Sequence, residues 1–226
     1  MAQSTSARAS DSAEAEQDGR SGRKRRAIID EATALFLRNG YQGTSMDEVA
    51  ARAAVSKQTV YKNFADKEKL FTEIIRGVAD SSERILQELS EVLHTADVGA
   101  DDLDDVLTEL AQRYLSAVLQ PRVMRLRRLV IAEADRFPEL ARYYYDKAPA
   151  RAVKVLAGEL RTYAERGLLR LDDATLAANH FAYLVLAIPQ DRALFHPDEQ
   201  PSTGDHDRIA REAVRVFLAA YRDPHS

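Results

Sequence analysis

An all-α fold is predicted by three features of this 226-residue sequence. Apolar residues recur at helix period along most of the chain, and no stretch alternates apolar and polar residues as a strand would. Helix-ending signals separate the stripes, at Asn39-Gly40, Pro121, Phe137-Pro138 and Gly167. The pattern divides the chain into a tail over residues 1–21, a small three-helix unit over 22–68 and a larger helical domain over 69–226.

Residues 1–21 are rich in Ala, Ser, Glu and Gln and have no large apolar side chain after Met1. They cannot bury enough surface to offset ordering entropy, so disorder is expected. The basic run Arg23-Lys24-Arg25-Arg26 follows. Basic side chains are unfavourable at a helix N-terminus, so the run is either a solvated helix start or an arm reaching a phosphate backbone or a minor groove. A first helix over about 23–39 turns Ile28, Ala32, Leu35 and Phe36 inward and ends at Asn39-Gly40.

Residues 44–64 read as two short helices broken by one tight turn. Met46, Val49, Ala50 and Ala53 form an i, i+3, i+4, i+7 stripe, opened by Thr44 and Ser45, and Glu48 stands at capping-box spacing from Ser45. Ala53 to Val55 interrupt the stripe, and Ser56 caps a second helix from Lys57. That helix turns Val60 and Phe64 inward and leaves Lys57, Gln58, Thr59, Tyr61, Lys62 and Asn63 to solvent. Two lysines, an amide, a hydroxyl and a tyrosine on one short helix suit the recognition helix of a helix-turn-helix. The plainer alternative is a helical interaction module with a merely solvated face and no sequence-specific DNA binding.

Charge favours DNA. Residues 20–70 carry eleven basic and six acidic side chains, against a net charge of −4 for the whole chain. Residues 71–226 are acidic by six charges. Positive charge is concentrated where phosphate neutralisation needs it.

A helix starting near Lys67 continues to about Leu93 with Leu70, Phe71, Ile74, Ile75 and Val78 inward, and residues 94–100 read as a loop. Leu103, Val106, Leu110 and Tyr114 mark the next helix, and Pro121 opens another over about 122–136. Phe137-Pro138 breaks it. A long helix over 139–166, disturbed at Pro149, ends at Gly167. Asp172 or Asp173 caps a helix from about Leu176 to Phe195 that is apolar on nearly every side, which calls for burial beyond one core face. The last helix, over about 205–222, offers Ile209, Ala213, Val216, Phe217 and Ala220.

No cysteine is present, no apolar run approaches the ~18 residues of a membrane span, and the N-terminus has no apolar signal core. A cytoplasmic protein with no membrane association is expected. None of the five histidines stands four residues from another, no Gly-rich phosphate loop occurs, and Asp101-Asp102 and Asp104-Asp105 serve more simply as helix-start charges. No enzyme, cofactor or metal site is expected.

The stretch RRAIIDEATALFLRNGYQGTSMDEVAARAAVSKQTVYKNFADKEKLF closely resembles the DNA-binding domain of the tetracycline-repressor (TetR) family of bacterial regulators. Gly40-Tyr41, Gly43-Thr44-Ser45, Val55-Ser56-Lys57, Thr59-Val60-Tyr61, and Phe64 followed by Asp66 to Leu70 carry the match in order. More loosely, RLVIAEADRFPELARYYYD resembles the C-terminal domain of the AefR-like subgroup. The resemblance implies a repressor that binds a palindromic double-stranded operator as a homodimer and is released by a small-molecule effector. Chemistry suggests that Gln58 and Thr59 reach base edges. The family pattern puts Tyr61 and Lys62 on phosphates, although histidine is usual where Lys62 stands. Thr44, Ser45, Ser56, Lys57 and Lys67 complete the expected DNA surface. Leu184, Val185 and Ile188, with Val216, Phe217 and Ala220, are expected to pair with their copies in a second subunit. Tyr114, Met124, Arg128, Phe137, Tyr144, His180 and Phe181 are candidates for the effector pocket.

Overall fold

A computed structural model describes the backbone over residues 3–94, 99, 101–199 and 203–224. It forms two compact units, Met1–Arg76 and Gly77–Ser226. The loop expected at 94–100 falls largely outside the described residues, and no described helix is long and apolar enough to cross a membrane.

The first unit contains α1 (Gln3–Asn39), α2 (Met46–Arg52), α3 (Lys57–Asn63) and the opening turns of α4 (Lys67–His94). Its backbone is helical from Gln3, where composition led to an expectation of disorder. Ala, Glu, Gln and Arg are good helix formers, a preference that an argument from burial alone leaves out. Ile28, Ala32, Leu35 and Phe36 are buried, as their spacing requires. Phe36, Tyr41 and Phe71 form an aromatic knot with ring centroids 5.0–6.0 Å apart. Phe71 thereby draws the start of α4 into this unit, which is why the division falls after Arg76 and not after residue 68.

Two tight turns shape the unit. Gly40 closes α1 with φ +72°, its amide donating to the Phe36 carbonyl. A Cβ on Gly43 would lie 2.5 Å from the Asn39 carbonyl oxygen, so the turn closes only on glycine. Between α2 and α3, the Val55 amide donates to the Ala50 carbonyl and the Ala54 amide to that of Ala51. This pair of bonds is a Schellman motif, whose left-handed position glycine usually fills. Here Ala54 occupies it, at φ +52°.

The second unit continues α4 and adds α5 (Leu103–Val118), α6 (Pro121–Ala132), α7 (Pro138–Lys147), α8 (Pro149–Glu165), α9 (Ala174–Phe195) and α10 (Thr203–Tyr221). Two helices stand where one over 139–166 was expected. Ala148 leaves helical geometry at φ −116°, ψ −79°, and Pro149 opens α8 as its first residue. Asp173 caps α9 by accepting from the Thr175 and Leu176 amides. Asp102 instead accepts from the Gly99 amide.

α9 packs against α5, α6, α8 and α10, and Phe181 meets Phe217 edge to face at 5.3 Å. Its inward stripe is Ala178, Ala182, Val185 and Pro189, at i, i+4, i+7, i+11. Val185 and Phe217 are therefore core residues, 0% and 1% exposed, and not parts of an intersubunit surface. Periodicity could not choose, because α9 is apolar on every side. Among the described residues the only extended pairing is an isolated bridge, Leu169 with Arg222.

Ala54 supplies a test. A left-handed alanine costs about 1–2 kcal/mol, against roughly 0.5–1 kcal/mol of extra chain entropy for glycine. Ala54→Gly is expected to leave urea stability unchanged or raise it by up to about 1 kcal/mol, whereas β-branched Ala54→Val lowers it by more than about 1 kcal/mol. Equal stability of the glycine and valine variants would contradict the left-handed turn.

Candidate nucleic-acid interface

The serines at the two helix starts fix the helix-turn-helix. Ser45 Oγ accepts from the Glu48 amide at 3.1 Å, and Ser56 Oγ accepts from the Thr59 amide at 3.1 Å. The reciprocal half of the capping box is replaced, because the Glu48 carboxylate accepts from Arg38 instead. Ser56 Oγ also lies 2.8 Å from Thr59 Oγ1. The Thr59 hydroxyl is thereby occupied, which leaves its methyl as the group free for outside contact.

Val60 and Phe64 anchor α3 in the core. Outward stand Lys57, Gln58, Tyr61 and Lys62, while Thr59 and Asn63 are half-buried and Asn63 donates to the Thr59 carbonyl. Among the described residues, the Gln58 amide, Tyr61 hydroxyl and Lys62 ammonium have no protein partner. Acidic groups nearby are matched: Asp47 with Lys57 at 2.6 Å, Glu48 with Arg38 at 3.4 Å, Glu31 with Arg52 at 2.8 Å. Exposed pairs of this kind are weak, roughly 0–1 kcal/mol, so Lys57 can exchange Asp47 for another anion at little cost.

Two expected contact residues are committed elsewhere. Thr44 is 2% exposed and its hydroxyl donates to the Gly40 carbonyl at 2.9 Å. Lys67 points inward from the start of α4. Its ammonium donates to the carbonyls of Tyr41 and Thr44, both at 3.0 Å, and lies 4.5 Å from the Tyr41 ring centroid. These four contacts hold the α1–α2 turn. These are structural ties, and they commit both polar groups to partners within the protein.

The basic run at 23–26 lies inside continuous helix α1 and not at its start. Arg25 pairs with Glu73 and covers the Phe64 ring at 5.1 Å, whereas Arg23, Lys24 and Arg26 are exposed.

In the second unit the seven pocket candidates disperse. Phe181 is fully buried in the core, and Tyr144 is buried. His180 is exposed on α9, with Nδ1 2.5 Å from the Tyr221 hydroxyl. Tyr114 and Phe137 are half-buried. Burial pushes the Tyr114 phenol up to about 12, against the pull of Arg127, with Tyr183 adding to the rise. Met124 and Arg128 do line a cavity of about 170 Å³ beside the end of α9. His206, which also lines it, had no signal in the sequence, since a lone polar residue in the first turns of a helix is unremarkable. Of the expected pairing residues, Leu184, Ile188, Val216 and Ala220 are exposed on α9 and α10.

The first unit matches the family model for bacterial regulatory proteins of the tetR family over residues 28–74. The second matches the C-terminal domain of AefR-like transcriptional repressors over residues 105–223. The chain belongs to the TetR family. A putative TetR-family regulator from Mesorhizobium loti is 39% identical, with TM-score 0.80 over 90% of this chain and 98% of that one. The flavonoid-responsive regulator FrrA is 28% identical, with TM-score 0.67 over 91% and 100% of the two chains. IcaR of Staphylococcus aureus, a negative regulator of the biofilm operon icaADBC, is 24% identical over 41% of this chain and half of its own length. A Bacillus subtilis regulator, YhgD, is 45% identical over 51 residues, and that match covers 27% of its length.

This TetR-family chain is thus a DNA-binding transcriptional regulator, and the helical interaction module without DNA binding falls away. Its two lysines at 57 and 67 should behave oppositely on unfolding. Lys67→Met removes charge-assisted bonds from a half-buried site and is expected to lower urea stability by about 2 kcal/mol. Lys57→Met breaks an exposed pair and should stay within about 0.5 kcal/mol of the parent. Equal stability of the two variants would contradict the inward clamp.

Proposed function

We propose that this regulator represses transcription by binding a palindromic operator as a homodimer, and that a small-molecule effector releases it. The observation that carries the reading is the row of unpartnered groups on α3, Gln58, Tyr61 and Lys62, presented by a doubly capped and clamped frame. In this reading Gln58 pairs with a base edge in the major groove and the Thr59 methyl meets a thymine. Tyr61, Lys62 and Lys57 hold phosphates, with Ser45 and Ser56 at the two helix starts beside them. Repression draws support from the AefR-like repressor domain and from the negative regulator IcaR. An effector is suggested by FrrA, described as flavonoid-responsive. The protein acts on chromosomal DNA in the cytoplasm.

Pairing of subunits is supported by what the second unit leaves uncovered. Ile188 is 77% exposed and Tyr183 65%, with Leu176, Leu184 and Phe195 also exposed on α9 and Val216 on α10. Single exposed apolar residues are ordinary, but a run of them along one helix marks an association surface. A two-fold dimer then sets two α3 helices on half-sites one turn of DNA apart, or a multiple of that.

Lys62→Ala should weaken DNA binding on every sequence and reduce the slope of log affinity against log salt by about 1.8, because the dimer loses one phosphate contact from each subunit at about 0.9 apiece. Gln58→Ala should leave that slope unchanged and relax one base position by roughly 1–3 kcal/mol. Mobility shifts across a salt series distinguish the two, and an unchanged slope for Lys62→Ala would remove the phosphate assignment.

Ile188→Glu tests assembly. Because the side chain is exposed in the subunit, the variant should keep its helical circular dichroism yet sediment as a monomer, since a buried unpaired charge is costly at an interface. Operator affinity should fall with dimerisation, through loss of the linked second contact. A dimer that survives Ile188→Glu would contradict this surface.

A further inference from the structure

The cavity at the end of α9 is chemically two-sided. Leu119, Pro121, Met124, Ala193 and Pro197 supply its apolar lining. Arg125, Arg128, Glu199 and His206 supply its polar groups.

Their charges do not cancel locally. Glu199 is taken by Arg192 at 2.8 Å, a contact that also holds its carboxyl below the usual range. Arg128 is half-buried and donates from Nη1 to the Ala193 carbonyl at 2.6 Å, which fixes the guanidinium while leaving most of its N–H groups unused. Among the described residues neither Arg125 nor Arg128 has a carboxylate partner. Among the described residues, His206 Nε2 is buried and has no hydrogen-bond partner. A buried polar atom left unpaired costs about 1–3 kcal/mol, and such atoms are rare in native proteins unless a water, an ion or a ligand meets them.

Size narrows the occupant. The cavity measures about 170 Å³, and an apolar cavity of about 150 Å³ accommodates a benzene ring. We propose that this cavity binds a small monocarboxylate whose apolar body is about one ring in size. The carboxylate lies on Arg128, Arg125 and His206, and the body lies against Leu119, Met124 and Pro197. Arginine suits this role because its planar fork meets a carboxylate through two parallel bonds. The inference deepens the effector reading: its regulatory consequence rests on that reading, while binding itself does not.

The test is calorimetric titration of the full chain, without DNA, using benzoate and its neutral counterpart benzamide. Benzoate should saturate one site per chain and bind roughly tenfold or more tightly than benzamide. Arg128→Met should remove that preference. Because Arg128 also ties Ala193, the exposed and unpartnered Arg125→Met provides a second variant, expected to weaken benzoate several-fold with unchanged circular dichroism. Equal affinities for benzoate and benzamide, no saturable binding, or full benzoate affinity in both variants would each overturn the site. A mobility shift run alongside separates the two ideas. Benzoate that binds but never alters the shift leaves the site standing and removes its effector role, and absent benzoate binding with intact DNA binding removes the site alone.

Discussion

The Lys67 ammonium is the tie on which the DNA-binding unit depends. Two elements meet at it: the turn after α1, through the Tyr41 and Thr44 carbonyls and the Tyr41 ring, and the first residue of α4. The same turn carries Gly43, which has no room for a Cβ, and leads to the Ser45 cap of α2. Tyr41 in turn packs on Phe36 and Phe71. One half-buried cation therefore links the polar turn to the aromatic core. A recognition helix of seven residues has little stability of its own. Its position is set by this frame.

Electrostatics on the unit follow the same economy. Asp47, Glu48, Glu31 and Glu73 each face a basic partner on a neighbouring element, which offsets their repulsion of phosphate. Among the described residues, Gln58, Tyr61 and Lys62 on α3 have no such partner and suit DNA. The rest of the chain is acidic, which discourages non-specific contact through the larger unit.

Much of this was legible in the sequence wherever a local rule applies. Ser45 and Ser56 cap as their spacing requires, the apolar stripe of α1 is buried, and Pro121 opens a helix. What stayed hidden depended on distant partners. A sequence shows that Lys67 is charged and stands at a helix start, but not that two carbonyls 23 and 26 residues earlier wait for it. Thr44 looks like a helix-start hydroxyl until its burial is known. On α9, apolar residues on every side left the inward face undetermined, so Val185 and Ile188 looked equivalent, although one is core and the other lies in solvent. The Ala54 turn gave no signal either, because alanine is not the residue that advertises a left-handed position.

The central claim is that α3, repeated by two-fold symmetry, reads a paired DNA site. Selection of bound duplexes from a random pool by the full chain measures this directly. The account predicts enrichment of an inverted repeat whose two half-sites are centred about 10 base pairs apart or a multiple of that, with the most selective positions lying under Gln58 and Thr59. Recovery of a single unpaired half-site, or of no enriched sequence at low salt, would contradict it.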